Sequence, residues 1–126
     1  MVSVKIFSVV ALAAAALAAP MEKRSFSGDA TYYSPSAGTN SCGTQASDSE
    51  MMAALNVAQM SNGANPNANP NCGKQVSIKG PKGSVTVTIK DTCPGCSSGD
   101  LDLSPAAFDK IADQSQGRVP ITWNWA

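Results

Sequence analysis

The clearest pattern in the chain is an alternation of apolar and polar residues near its middle. Val76 and Ile78 alternate with polar neighbours, and Val85, Val87 and Ile89 alternate with Ser84, Thr86, Thr88 and Lys90. A period of two over this length predicts strands with one buried face. Between them Lys79-Gly80-Pro81-Lys82-Gly83 reads as a turn, so the pair predicts a β-hairpin with a loop longer than the tightest type. A third alternation, Val119, Ile121, Trp123 and Trp125, predicts a strand at the end of the chain. Ala30-Thr31-Tyr32-Tyr33 is β-prone and predicts another near the start.

One helix is expected. Ser104 supplies a capping oxygen and Pro105 suits the first helical position, where no amide donor is needed. Ala107, Phe108 and Ile111 give it an apolar stripe, and Leu103 lies just before the cap. Met51 to Leu55 is ambiguous: it is helical by propensity but too short to stand as an isolated helix. Residues 34–43, 61–71 and 91–99 read as loops, and SNGANPNANPN over 61–71 looks like a solvated insertion. Strands in this number with a single helix exclude a βαβ protein and predict an all-β barrel or sandwich.

The apolar run Ile6 to Ala19 changes the boundaries. It follows Lys5, is shorter than a membrane-spanning helix needs, and ends in Ala16-Leu17-Ala18, small residues where a signal peptidase reads. Residues 1–18 are therefore expected to be a secretory signal peptide cut after Ala18. Residues 19–24 form a short pro-segment ending in the dibasic pair Lys23-Arg24, and 25–126 form one mature domain. The expected location is extracellular.

Removing residues 1–24 leaves 6 cations and 8 anions, a net charge of −2. Nucleic acid and anionic membrane partners need a basic surface and are not expected. The chain has no histidine, which excludes a Ser-His-Asp triad, a Cys-His pair and histidine-ligated metal. Cys42, Cys72, Cys93 and Cys96 all follow the signal, and an even count in a small secreted chain reads as two disulfides. Spacing leaves all three pairings open. No metal or cofactor is expected.

The ordered motifs carry a further reading. Gly28-Asp29-Ala30-Thr31-Tyr32-Tyr33 opens the domain, followed by Cys42-Gly43 and Asn71-Cys72-Gly73. Asp91-Thr92-Cys93-Pro94 precedes Leu101-Asp102-Leu103-Ser104-Pro105-Ala106-Ala107-Phe108, and Gly117-Arg118-Val119-Pro120-Ile121-Thr122-Trp123 closes the series. This series resembles the RlpA-like double-psi β-barrel superfamily, which includes the barrel domain of expansins, barwin-like endoglucanases and small papain-inhibitor-like proteins. The resemblance implies a six-stranded double-psi β-barrel with a shallow polar groove. By analogy with expansins it also implies the disulfides Cys42–Cys72 and Cys93–Cys96, with Cys72–Cys93 and Cys42–Cys96 as the competing pairing.

Carried over residue by residue, the resemblance places Thr31, Asp91 and Asp102 in that groove. Tyr32 and Tyr33 alternate faces, and Tyr33 is taken as the groove-facing one. Asp102 stands where barwin-like endoglucanases have their proton donor, so it is the catalytic candidate if there is one. The second carboxylate of those enzymes would follow the aromatic pair, where this chain has Ser34. RlpA transglycosylases use a histidine, and expansins carry a second β domain beyond the barrel. The expected function is thus binding of cell-wall polysaccharide by a monomeric barrel without conventional hydrolysis. The alternatives are inhibition of a secreted papain-type cysteine protease and weak barwin-like endoglucanase activity. Trp123 is expected in the core, and Trp125 is expected to be more exposed, with a face suited to a sugar ring.

Overall fold

The structure, a computed structural model, describes residues 24–126. The signal peptide with Ala18, and Lys23 of the dibasic pair, lie outside the described residues. Arg24 is exposed, two residues ahead of the first strand.

Six strands close a barrel: β1 (Phe26–Tyr32), β2 (Met52–Asn56), β3 (Gln75–Lys79), β4 (Ser84–Cys93), β5 (Leu101–Leu103) and β6 (Val119–Trp125). Their order around the barrel is β1-β5-β2-β4-β3-β6. The β3–β4 hairpin is antiparallel with Val76 opposite Val87, as the alternation predicts. Two pairs are parallel, β1 with β5 and β2 with β4. Parallel neighbours cannot be joined by a tight hairpin, so each pair is reached by long connections that cross the barrel. Closure also leaves no strand edge open to other chains.

The barrel interior holds Ala30, Ala53, Leu55, Val76, Ile78, Val87, Ile89, Leu101, Leu103, Val119, Ile121 and Trp123. Trp123 is the largest fully buried side chain, and its indole Nε1 donates to the Gly99 carbonyl at 2.9 Å. Helix α1 (Val57–Met60) follows β2 directly, and helix α2 (Pro105–Ile111) follows β5. Ser104 caps α2, its hydroxyl accepting from the Ala107 amide, while Phe108 and Ile111 reach the core.

Three local expectations change. Met51 to Leu55 contributes a strand, not a helix. β2 pairs with β4 and β5, and all five of its residues are buried. Ala53 and Leu55 enter the core, and Met52, Ala54 and Asn56 occupy the other face, which loops and side chains also cover. A strand covered on both faces carries no apolar-polar alternation to read.

The segment starting at Asp91 is not loop from its first residue, since β4 continues to Cys93. Pairing with β2 holds Asp91, Thr92 and Cys93 in the sheet. The 61–71 segment, although mostly exposed, is internally bonded. Buried Asn69 donates to the Met60 carbonyl at 2.8 Å and to Asn62 Oδ1 at 2.7 Å, and it accepts from the Asn71 amide at 2.8 Å.

The disulfides are Cys42–Cys72 and Cys93–Cys96, with sequence separations of 30 and 3. The first ties the loop before β2 to the loop before β3. The second closes the turn immediately after β4.

Candidate functional site

Four adjacent strands build the site through their register. On β2, Ala54 pairs with Asp102 of β5 on one side and with Asp91 of β4 on the other. On the next strand, Thr31 of β1 pairs with Asp102. Directly paired residues point to the same face of a sheet. Thr31, Asp102, Ala54 and Asp91 therefore form one row across β1, β5, β2 and β4. The row is on the outer face, because its in-strand neighbours Leu101, Leu103, Ala53 and Leu55 all enter the core. Ala54 is the small residue between the two aspartates, and its single methyl keeps the floor between them low.

Asp91 reaches this face through an irregularity. Val85, Val87 and Ile89 point inward, so strict alternation would send Asp91 inward too. Ala53 pairs with Ile89 but Ala54 pairs with Asp91, leaving Lys90 as an extra residue in β4. This β-bulge turns Asp91 to the outside, the kind of re-aiming that bulges provide.

Asp91 is held from three directions. Its Oδ2 accepts from the Tyr33 hydroxyl at 2.9 Å, and its Oδ1 accepts from the Ser41 and Thr92 amides, each at 2.9 Å. The Ser41 and Thr92 hydroxyls lie 2.8 Å apart, which ties the loop before β2 to the end of β4. Of the roughly four acceptor positions of a carboxylate, three are thus used.

Asp102 is held more lightly. Its Oδ1 accepts from the Thr31 hydroxyl at 2.8 Å. Burial raises its pKa above the usual aspartate range, and nearby Asp91 raises it further. The Thr31 hydrogen bond and the charge of Arg118 act in the opposite direction but do not cancel the rise. Burial also pushes the Tyr33 hydroxyl well above its ordinary pKa, helped by the charge and hydrogen bond of Asp91. Tyr33 is therefore a neutral donor to Asp91 across the whole physiological range.

All four groove candidates from the sequence, Thr31, Tyr33, Asp91 and Asp102, come together here. Tyr32 turns the other way: its ring lies 4.9 Å from Phe108 and its hydroxyl donates to the Gln114 carbonyl at 3.1 Å. Four contributors were not singled out from the sequence. Ala54 was hidden in a uniformly apolar stretch, and Ser41 and Thr92 lay in segments read as loop. Arg118 was part of the closing motif but carried no assigned role. It sits just before β6 and reaches Asp29 Oδ2 at 3.4 Å.

Chemically, the row offers one carboxyl with a raised pKa, one carboxylate fixed by three donors, a threonine hydroxyl and a tyrosine ring. This face therefore carries both hydrogen-bond donors and acceptors.

Known proteins share this fold. Residues 25–123 match the double-psi β-barrel family model described as "Lytic transglycolase". The papain inhibitor of Streptomyces mobaraensis is 36% identical over 101 residues, covering 78% of this chain and 69% of that protein. The solved Streptomyces papain inhibitor superposes with a TM-score of 0.75 at 34% identity, covering 82% of this chain and 94% of that one. An aspartate-to-asparagine mutant of the Clavibacter michiganensis expansin, solved in complex with cellohexaose, gives a TM-score of 0.71 at 30% identity. It covers 82% of this chain but 50% of its own length. The chain matches only 22% of expansin-YoaJ of Bacillus subtilis, at 43% identity. The closed six-stranded order, the two parallel pairs and a match running over nearly all the described residues lead to one conclusion: this chain belongs to the RlpA-like double-psi β-barrel family.

Proposed function

We propose that this protein is an extracellular, expansin-like barrel that binds cell-wall polysaccharide across the Thr31–Asp102–Ala54–Asp91 row without conventional hydrolysis. The observation that carries this reading is the shared pairing of Asp91 and Asp102 with Ala54, which puts both carboxyl groups on one outward face. Likeness to an expansin solved with cellohexaose supports the ligand class.

Inverting hydrolysis needs a second carboxylate free to activate water. Asp91 does not suit that task, because Tyr33, Ser41 and Thr92 already occupy most of its acceptor capacity. Asp102, carrying a proton more readily than an ordinary aspartate, suits donation of a hydrogen bond to a sugar oxygen. The test is retention of mature 25–126 on insoluble cellulose, chitin and peptidoglycan. Wild type should be retained on at least one, and an Asp91→Asn/Asp102→Asn variant should be released. Failure of wild type to bind any of the three would overturn the reading.

A second reading is inhibition of a papain-type cysteine protease. Its support is the 94% coverage of the solved papain inhibitor, against 50% of the expansin. The exposed loops at 34–43 and 61–71 would then present the contact surface on a preformed frame. Papain inhibition that survives Asp102→Asn would favour this reading over the groove.

A further inference from the structure

A second concave surface lies at the other end of β6. That strand starts beside the groove, where Val119 pairs with Ala30, and ends where Trp125 pairs with Val76. At about 3.3 Å per residue, Trp125 is on the order of 20 Å along the strand from the groove edge. Here Gln59, Asn71, Lys74, Gln75 and Trp125 surround an open depression of about 640 Å³. It shares no lining residue with the aspartate row.

The chemistry of this lining is specific. Trp125 is half-buried at the wall, and Trp123 braces it edge-on at a ring distance of 5.5 Å. Trp123 is itself locked in the core by its bond to Gly99. The indole is thus a fixed platform and not a free surface side chain. Three side-chain amides stand around it. The Gln59 carbonyl oxygen is engaged by Asn56 Nδ2 at 2.6 Å and the Gly99 amide at 3.0 Å, which fixes that side chain. Its amide NH2 makes no hydrogen bond among the described residues. The Asn71 NH2 makes only long contacts of 3.4 Å, to the Gln59 and Met60 carbonyls. Gln75 is exposed, and its side chain has no hydrogen-bond partner among the described residues. Lys74 is also exposed, with its ammonium 5.4 Å from the Trp125 ring centre. The remaining lining residue is the C-terminal Ala126.

We infer that this depression is a second saccharide-binding site, in which a sugar ring stacks on Trp125 while Gln59, Asn71 and Gln75 hydrogen-bond its hydroxyl or acetamido groups. An indole supplies a flat apolar face for the C–H face of a pyranose, and amides both donate and accept, as hydroxyl recognition requires. Lys74 makes only a weak cation–π contact at an exposed position. Its ammonium is therefore displaced at little cost and becomes a donor to the incoming ring. Two sites at opposite ends of β6 would let one barrel hold a polymer at two points or bridge two chains, raising the effective affinity without new contacts.

The choice of a saccharide as ligand rests on the glycan-binding reading above, but the site does not depend on the groove. The test is a two-dimensional amide NMR titration of 25–126 with cellohexaose and, separately, chitohexaose. The expected result is a group of shifting amides at 74–76 and 125, saturating independently of a second group at 31, 54, 91 and 102. Trp125→Ala and, at a fully tolerant exposed position, Gln75→Ala should each weaken the first group at least about tenfold and leave the second unchanged. Shifts at the groove alone would overturn this inference and leave the groove reading standing. Shifts at 74–76 and 125 alone would do the reverse. Shifts at 74–76 that persist unweakened in both variants would also overturn it.

Discussion

Asp91 and Asp102 are both register partners of Ala54, one on each side of it. Two strand spacings of about 4.8 Å separate their backbones. The alanine between them contributes only a methyl group, and both carboxyl groups lie on the same outer face. Asp91 is held by three donors and Asp102 by one, and this difference gives the two acids different chemistry.

The raised pKa of Asp102 has a consequence for stability. A carboxyl whose folded pKa exceeds its unfolded value makes the native state hold the extra proton in the interval between the two. Its contribution is fully present below the unfolded value and is lost as pH rises through the raised folded value. Asp102→Asn keeps an acceptor for Thr31 and removes the titration. Thermal unfolding across pH should therefore show the variant gaining on wild type as pH climbs from the ordinary aspartate range toward neutral. Parallel pH profiles for the two proteins would contradict the assignment.

Hydrolysis is expected to be absent. Incubation with soluble cellulose or chitin oligomers should release no reducing ends above background. Release that disappears in Asp102→Asn would show that some other group activates water.

The two disulfides should contribute unequally. Loop-closure entropy gives about 3–4 kcal/mol for a bridge of the Cys42–Cys72 span and about 2 kcal/mol for one as short as Cys93–Cys96. Denaturant unfolding should accordingly place Cys42→Ser/Cys72→Ser well below Cys93→Ser/Cys96→Ser in stability. The Cys93–Cys96 variant should also lose groove binding if the turn helps hold the end of β4.

Gly28 of β1 lies against the backbone of Gly99, which has φ of +92°. A methyl group at residue 28 would run into the Gly99 carbonyl, the same carbonyl that receives the Trp123 indole. Gly28→Ala should cost about 1–3 kcal/mol through overpacking. Melting temperatures will check this, and an unchanged value would mean that the segment before β5 yields freely.

Trp123→Ala and Trp125→Ala should differ sharply. The first empties the centre of the barrel and should cost about 3–5 kcal/mol. The second removes a half-buried ring at the strand end and should leave a folded protein, as urea titration would reveal.

Much of the architecture follows from local patterns. The β3–β4 hairpin, β6 and the capped helix α2 were legible because each has one buried face, and one buried face imprints a period of two or a stripe on the residues. Thr31, Tyr33, Asp91 and Asp102 were singled out through ordered motifs, and the fold brings them together. Trp123 was read as core and Trp125 as the more exposed of the two, and Trp123 is buried while Trp125 is half-buried.

Tertiary structure alone decided two things. β2 became a strand because β4 and β5 flank it and every one of its residues is covered, which erases the alternation that would have announced it. Asp91 turned outward because Lys90 bulges where β4 pairs with β2. Taken by itself, the alternation in β4 points that carboxylate into the core. Side-chain periodicity is a property of one strand, whereas a bulge exists only between two, so the side of the barrel on which Asp91 lies is set by its partner strand.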